Sequence, residues 1–148
     1  MKVLTESVPL DIKHISYVVK DINITAHHFN VLMGLQFNKK FDAVFTKGMV
    51  RGKATNFEAK IAVAELGTFG FELLQPVKGN TIWNEFLDER GEGMHHFGAL
   101  VSNLESEISR FKELGIELLQ WGETEHARVA FLDTFKTTGM LLELIEHK

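Results

Sequence analysis

With 148 residues, 45% of them hydrophobic and 24% charged, the chain has the length and composition of one globular domain able to bury a core. A net charge of −4 argues against a nucleic-acid partner, which would need a clustered basic face. No apolar run is long enough for a membrane helix, and the first ten residues lack the apolar stretch of a signal peptide, so a cytoplasmic protein is expected. The absence of cysteine excludes disulfides, thiolate nucleophiles and cysteine-held zinc, and leaves His, Asp, Glu or Gln to hold any metal.

Residues 1–11 read as a short arm. Ile12–Val19 is the first predicted strand. Asp21 is a good N-cap and Gly34 a good stop for a helix over about 22–33, with Ile22, Ala26, Phe29 and Met33 on its apolar face. Leu35–Val44 has strand character, and Thr46–Gly52, with two glycines, reads as a turn or loop. Phe57–Leu66 and Phe69–Gln75 form a hairpin around Gly67-Thr68. A connector over 77–92 carries Trp83, Phe86 and Leu87 on a short helix. Beyond it come a strand at 94–101, a helix at about 103–114, and a strand at 116–121. A loop at Gly122–His126, a strand at 127–132, a turn near Thr134–Gly139 and a final strand at 140–146 complete the chain.

This order is βαβββ twice. Laying His96 on His14 brings two halves into register. Each half opens with a histidine on a strand, runs through a helix that ends at or near a glycine (Gly34, Gly115), and closes on a strand with a glutamate. The closing strands are Phe71-Glu72-Leu73-Leu74-Gln75 and Leu142-Glu143-Leu144-Ile145-Glu146. Two copies are too few for a solenoid, so the repeat reads as a duplicated half-domain. The expected class is α+β: one domain over 1–148, with paired βαβββ modules (about 12–76 and about 93–146) forming a cup-shaped sheet. Each module is expected to be an antiparallel sheet with its helix on one face and the other face free.

Strand residues alternate between faces. His14, Ser16 and Val18 then share the inner face of the first strand, as do His96, Gly98 and Leu100 in the second half. Ser16 and Gly98 are small, as a site that leaves room for a ligand would require. His95 should point to the opposite face as a structural residue. His27, His28, His126 and His147 read as surface, Glu146 as solvated on the far face, and Arg51 and Arg128 as more often solvated than anion-binding.

His14, Glu72, His96 and Glu143 stand at matched places in the two halves. A carboxylate set in an apolar strand is costly unless paired or metal-bound. Two imidazoles with two carboxylates suit a divalent transition ion such as Zn, Ni, Co or Mn better than Mg.

At these residues the chain resembles the vicinal-oxygen-chelate superfamily of glyoxalase I, methylmalonyl-CoA epimerases, extradiol dioxygenases and bleomycin-resistance proteins. The likeness spans about residues 12–146. Phe71-Glu72-Leu73-Leu74-Gln75-Pro76 and the stretch from Trp83-Asn84-Glu85-Phe86-Leu87 to Gly91-Glu92-Gly93-Met94-His95-His96 are most similar to the epimerases. The resemblance implies a metal held by His14, Glu72, His96 and Glu143, and a dimer. It also implies proton abstraction beside the carbonyl of a small-molecule thioester by a metal-dependent isomerase. A glyoxalase I-type lyase is the alternative, and a non-enzymatic resistance protein the second. The epimerases carry a further carboxylate base on an inner strand. Lys60 or Glu58 stands nearest that place; otherwise Glu143 or Glu72 is the base.

Overall fold

The computed structural model describes residues 9–148, so most of the expected N-terminal arm lies outside the described residues. In the first half come β1 (Asp11–Val18), α1 (Ile22–Met33), β2 (Lys39–Phe45), β3 (Lys47–Val50), β4 (Lys53–Ala54), β5 (Phe57–Leu66) and β6 (Phe69–Lys78). The helix α2 (Ile82–Arg90) leads to β7 (Gly93–Leu100), α3 (Leu104–Glu113), β8 (Leu118–Glu123), β9 (Ala127–Leu132), α4 (Phe135–Thr138) and β10 (Leu141–His147). The described strands form a ten-stranded sheet in the order β2-β5-β6-β1-β7-β10-β9-β8-β3-β4. It curls into the half-barrel expected from the duplicated pattern.

The two halves meet along the antiparallel pair β1 and β7. Within each half the opening strand lies parallel to the closing one, β1 with β6 and β7 with β10. Each half is therefore mixed, not antiparallel as expected. The reason is the helix, which returns the chain to the far side of the sheet and lets it work back by hairpins.

Asp21 caps α1 by accepting from the amides of Asn23 and Ile24, and Gly34 closes it in the left-handed conformation at φ 69°. Ile22, Ala26 and Phe29 pack over Phe37, Leu73 and Phe71 as the spacing predicts, but Met33 is exposed. The turn at Gly34 brings Leu35 against this cluster instead. A second outer cluster lies under α3, around Leu104, Ile116, Leu132 and Leu144.

Two expected loops are strands. Lys47–Val50, inside the predicted turn, pairs with β8, which runs through Gly122 to Glu123. Their glycines mark close approach, not turning. Gly48 sits opposite Gly122. A Cβ on Gly48 would lie 2.7 Å from the Phe57 ring, and one on Gly122 would lie 2.6 Å from both Phe45 and Phe57. This bare patch lets the two stacked phenyl rings fill the cup where β2 crosses to the far edge of the sheet. The turn near Thr134–Gly139 contains the short helix α4.

The connector is core. Thr81 and Asn84 cap α2 reciprocally, and the side chain of Gln120 accepts from the Ile82 amide at 3.0 Å. Trp83, 1% exposed, meets Phe57 and Phe131 edge to face. With Ile82, Val18 and Leu74 it plugs one end of the cup. Among the described residues no helix is long and apolar enough to cross a membrane.

Candidate metal centre

Four adjacent strands at the middle of the sheet each present one residue: Glu72 on β6, His14 on β1, His96 on β7 and Glu143 on β10. The register sets them in two rows. Glu72, Ser16 and His96 lie side by side, as do His14, Gly98 and Glu143. The rows are related by the duplication, since Gly98 stands where Ser16 does.

The side chains converge on a quadrilateral with the glutamates at opposite corners. Nε2 of His14 lies 3.5 Å from Glu72 Oε2 and 3.2 Å from Glu143 Oε1. Nε2 of His96 lies 3.6 Å and 3.4 Å from the same two oxygens. Two donors bound about 2.1 Å from a shared ion sit about 3.0 Å apart at octahedral and about 3.4 Å apart at tetrahedral angles. Both Nε2 atoms are buried and have no hydrogen-bond partner among the described residues. The ligand atoms of His14, Glu72 and His96 all fall within 4.8 Å of one another. The donor set fits a divalent transition ion.

Charge agrees with this. Burial opposes a proton on His14, but Glu72 and Glu143 outweigh it and raise its pKa to about 9. The His96 pKa also rises against complete burial, through the same carboxylates. Burial works against a charged Glu143, yet the two imidazoles hold it down to about 2. Without a cation, the two carboxylates favour protonated imidazoles at His14 and His96.

Several expectations need correction. The space at Gly98 is filled by the protein itself: a Cβ there would lie 2.0 Å from Cε1 and 2.4 Å from Nε2 of His14. Its smallness seats a ligating ring rather than a substrate. His95 does not point away from His96. The β1–β7 register slips between Ser16 and Tyr17, leaving His95 as an extra residue, and a β-bulge of this kind overrides strict alternation. His95 lies beside His96 with ring nitrogens 2.8 Å apart. Burial, then the neighbouring His96, holds its pKa well below the usual imidazole value.

Lys60 is excluded from the centre. It alternates with Ala59 and Ile61, which face the cup, so it points outward beside Asn23, Lys40 and Asp42. Glu58 shares that side, opposite Lys78. Among the described residues, the inward positions of β2 and β5 in register with the centre include Lys39 and Val63, which continue the row of Glu72, and Glu65, which lies opposite Gly70 in the row of His14; Lys39 and Glu65 are both exposed.

Glu146 is not simply solvated. It accepts from the Leu104 amide at 2.7 Å and binds Arg128. Gln75 does the same for the Ile22 amide at 3.0 Å. Each residue lies three positions after a site glutamate and anchors the helix of its own half. The signal was in the sequence, as the matched third residue of both closing strands. Gln120 had no such signal. Arg51 is taken by Glu85 and Arg128 by Glu146 and Glu105. His27, His28, His126 and His147 are exposed, as expected.

Residues 13–132 match the family described as the Glyoxalase/Bleomycin resistance protein/Dioxygenase superfamily, and the chain belongs to it. It is 28% identical over 96 residues to the uncharacterized protein YqjC of Bacillus subtilis (strain 168), covering 62% of this chain and 69% of that protein. Among solved structures it is similar to methylmalonyl-CoA epimerase from Mycobacterium tuberculosis (TM-score 0.66, 19% identity, 97% and 92% of the two chains). It is also similar to hypothetical protein BH1468 from Bacillus halodurans C-125 (TM-score 0.66, 26% identity, 93% and 94%). A variant of the Streptomyces coelicolor epimerase in complex with 2-nitronate-propionyl-CoA aligns with a TM-score of 0.61 at 18% identity, over 93% and 98% of the chains.

Proposed function

We propose that this chain is a metal-dependent isomerase that moves the proton on the carbon next to a thioester carbonyl. The observation that carries this reading is the quadrilateral of His14, Glu72, His96 and Glu143, with N···O edges of 3.2–3.6 Å and two buried, unpartnered Nε2 atoms. The fold likeness to epimerases of CoA thioesters supports the substrate class.

These four residues would hold a Zn, Ni, Co or Mn ion. When bound, a divalent ion polarises the carbonyl oxygen of the substrate and stabilises the negative charge that proton removal leaves there. Glu72 and Glu143 supply the base, as the carboxylates that stand at the centre itself; Lys60 and Glu58 face away. Standing at opposite corners, the two carboxylates flank a carbon placed over the centre. One takes the proton and the other side is open for its return, which inverts the configuration. The plug of Trp83, Phe57 and Phe131 excludes water from the deep side.

The second reading, a glyoxalase-type lyase, returns the proton to the neighbouring carbon. It is favoured by one observation: the candidate bases Lys60 and Glu58 point away from the centre, which leaves the ligand carboxylates as the bases nearest the ion. Both readings are tested with protein loaded in turn with Co, Ni, Zn and Mn. A 2-methyl acyl-CoA in deuterated water should gain deuterium at carbon 2. Conversion of a hemithioacetal without thioester exchange would establish the lyase. Bound metal with neither reaction would favour a sequestering protein.

A further inference from the structure

The β1–β7 register breaks once beside each site histidine. On β1 the extra residue is Lys13, between Ile12 and His14; on β7 it is His95, between Met94 and His96. A bulge re-aims the side chains around it. In the first half Lys13 turns out to Asp11, 3.2 Å away. In the second half His95 turns in. It is 3% exposed, meets Phe86 edge to face at 5.0 Å, and places Nδ1 2.8 Å from Nδ1 of His96. Nitrogens that close share one proton, so one ring donates and the other accepts.

Nε2 of His96 is committed to the centre. A neutral imidazole that binds a metal through Nε2 keeps its proton on Nδ1 and must donate it to something. We propose that His95 is the positioning residue of this centre: its Nδ1 accepts the Nδ1–H of His96, fixes that tautomer and aims Nε2 at the ion. The proposal rests on the metal-binding reading of the four-residue cluster. It assigns the role to one half only, because Lys13 stands where His95 does and a lysine ammonium cannot accept. His96, fully buried, is thereby pre-set by the protein, whereas the His14 side chain is 14% exposed and lies over Gly98.

The test is Co and Zn affinity, by competition with a chromophoric chelator, for wild type, His95→Phe and His95→Asn. Phe keeps an aromatic ring between Phe86 and Phe131 but removes the acceptor; Asn loses the ring but restores an acceptor oxygen near the Nδ1 position. Affinity should fall at least about tenfold in His95→Phe and recover in His95→Asn. In nitrogen-15-labelled, zinc-loaded wild type, the His96 Nδ1–H should exchange slowly and show coupling to His95 Nδ1 across the hydrogen bond. A packing role would give neither recovery nor coupling. Wild-type affinity in His95→Phe, or equal loss in both variants, or absent coupling in the loaded protein, overturns the proposal and leaves the metal reading intact. Wild type that binds none of the four metals overturns the metal reading itself. If His95→Phe does not fold, His95→Asn and the coupling decide.

Discussion

Gly98→Ala adds one methyl group and should empty the metal centre. Gly98 has no positive φ, so alanine meets no backbone strain and the effect is purely steric. The new Cβ would stand 2.0 Å from Cε1 of His14 and 2.5 Å from its Nδ1. Carbon atoms in contact settle about 3.5–4.0 Å apart, so the ring must retreat by about 1.5 Å or more. Metal–ligand distances tolerate only about 0.2 Å. His14 therefore leaves the set. Loss of an outer hydrogen-bond partner already costs about 10- to 100-fold in affinity, so loss of a ligand should cost at least about 100-fold. The assay is competitive titration of Co or Zn against a chelator, with thermal unfolding of the metal-free protein as control. Overpacking should also lower stability, by about 1–3 kcal/mol. A well-folded Gly98→Ala that binds metal as tightly as wild type would refute the placement of the His14 ring, and with it the four-ligand reading.

Acidification should weaken metal binding, because the ion competes with protons. With the His14 pKa raised to about 9, apparent affinity should climb with pH up to that value and binding near neutrality should release protons. Calorimetry in buffers of different ionisation enthalpy would read this out. The metal-free protein should behave oppositely: the stability His14 contributes is complete below its unfolded pKa of about 6.5 and is lost as pH rises through about 9. The melting temperature should fall across that window without metal and hold with it. Lys60→Ala should leave metal affinity and turnover unchanged; a large loss in either would put Lys60 back in the site. Gln75→Met should cost about 1 kcal/mol in urea unfolding by stranding the Ile22 amide, with no change in metal affinity.

The duplication was legible because both halves keep the same punctuation: a histidine, a capped helix, a glutamate. Register by alternation then put His14, Glu72, His96 and Glu143 on one face, and they converge. Alternation failed at His95, because a bulge depends on how two strands meet and leaves no mark in either strand alone. Lys60 stands as a candidate base only while alternation is not carried along β5; its outward direction follows from Ala59 and Ile61 once β5 is known to face the cup. Glycines misled twice. Gly48 and Gly122 look like turn residues in sequence, but their role is set by Phe45 and Phe57, which only the fold brings over them. Gln120 was invisible for the same reason, since its partner, the Ile82 amide, is distant in sequence.

The two halves have diverged around a shared plan, and the divergence gives the site a direction. In the second half Phe131, fully buried, lies next to Glu143 in the sheet; at the matched place in the first half Val63, only partly buried, lies next to Glu72. The wall behind His96 is Phe131 and His95, closed from below by Phe86 and Trp83 of α2. His14 instead has glycine on both neighbouring strands, Gly70 and Gly98. The asymmetry lies in the histidines: His96 is fully buried and the His14 side chain 14% exposed, whereas Glu72 and Glu143 are exposed alike, at 12% and 11%. The asymmetry separates two demands that a strictly symmetric cup would set against each other. One half fixes ligand geometry behind an aromatic wall; the other leaves its histidine partly exposed, as the proposed substrate requires.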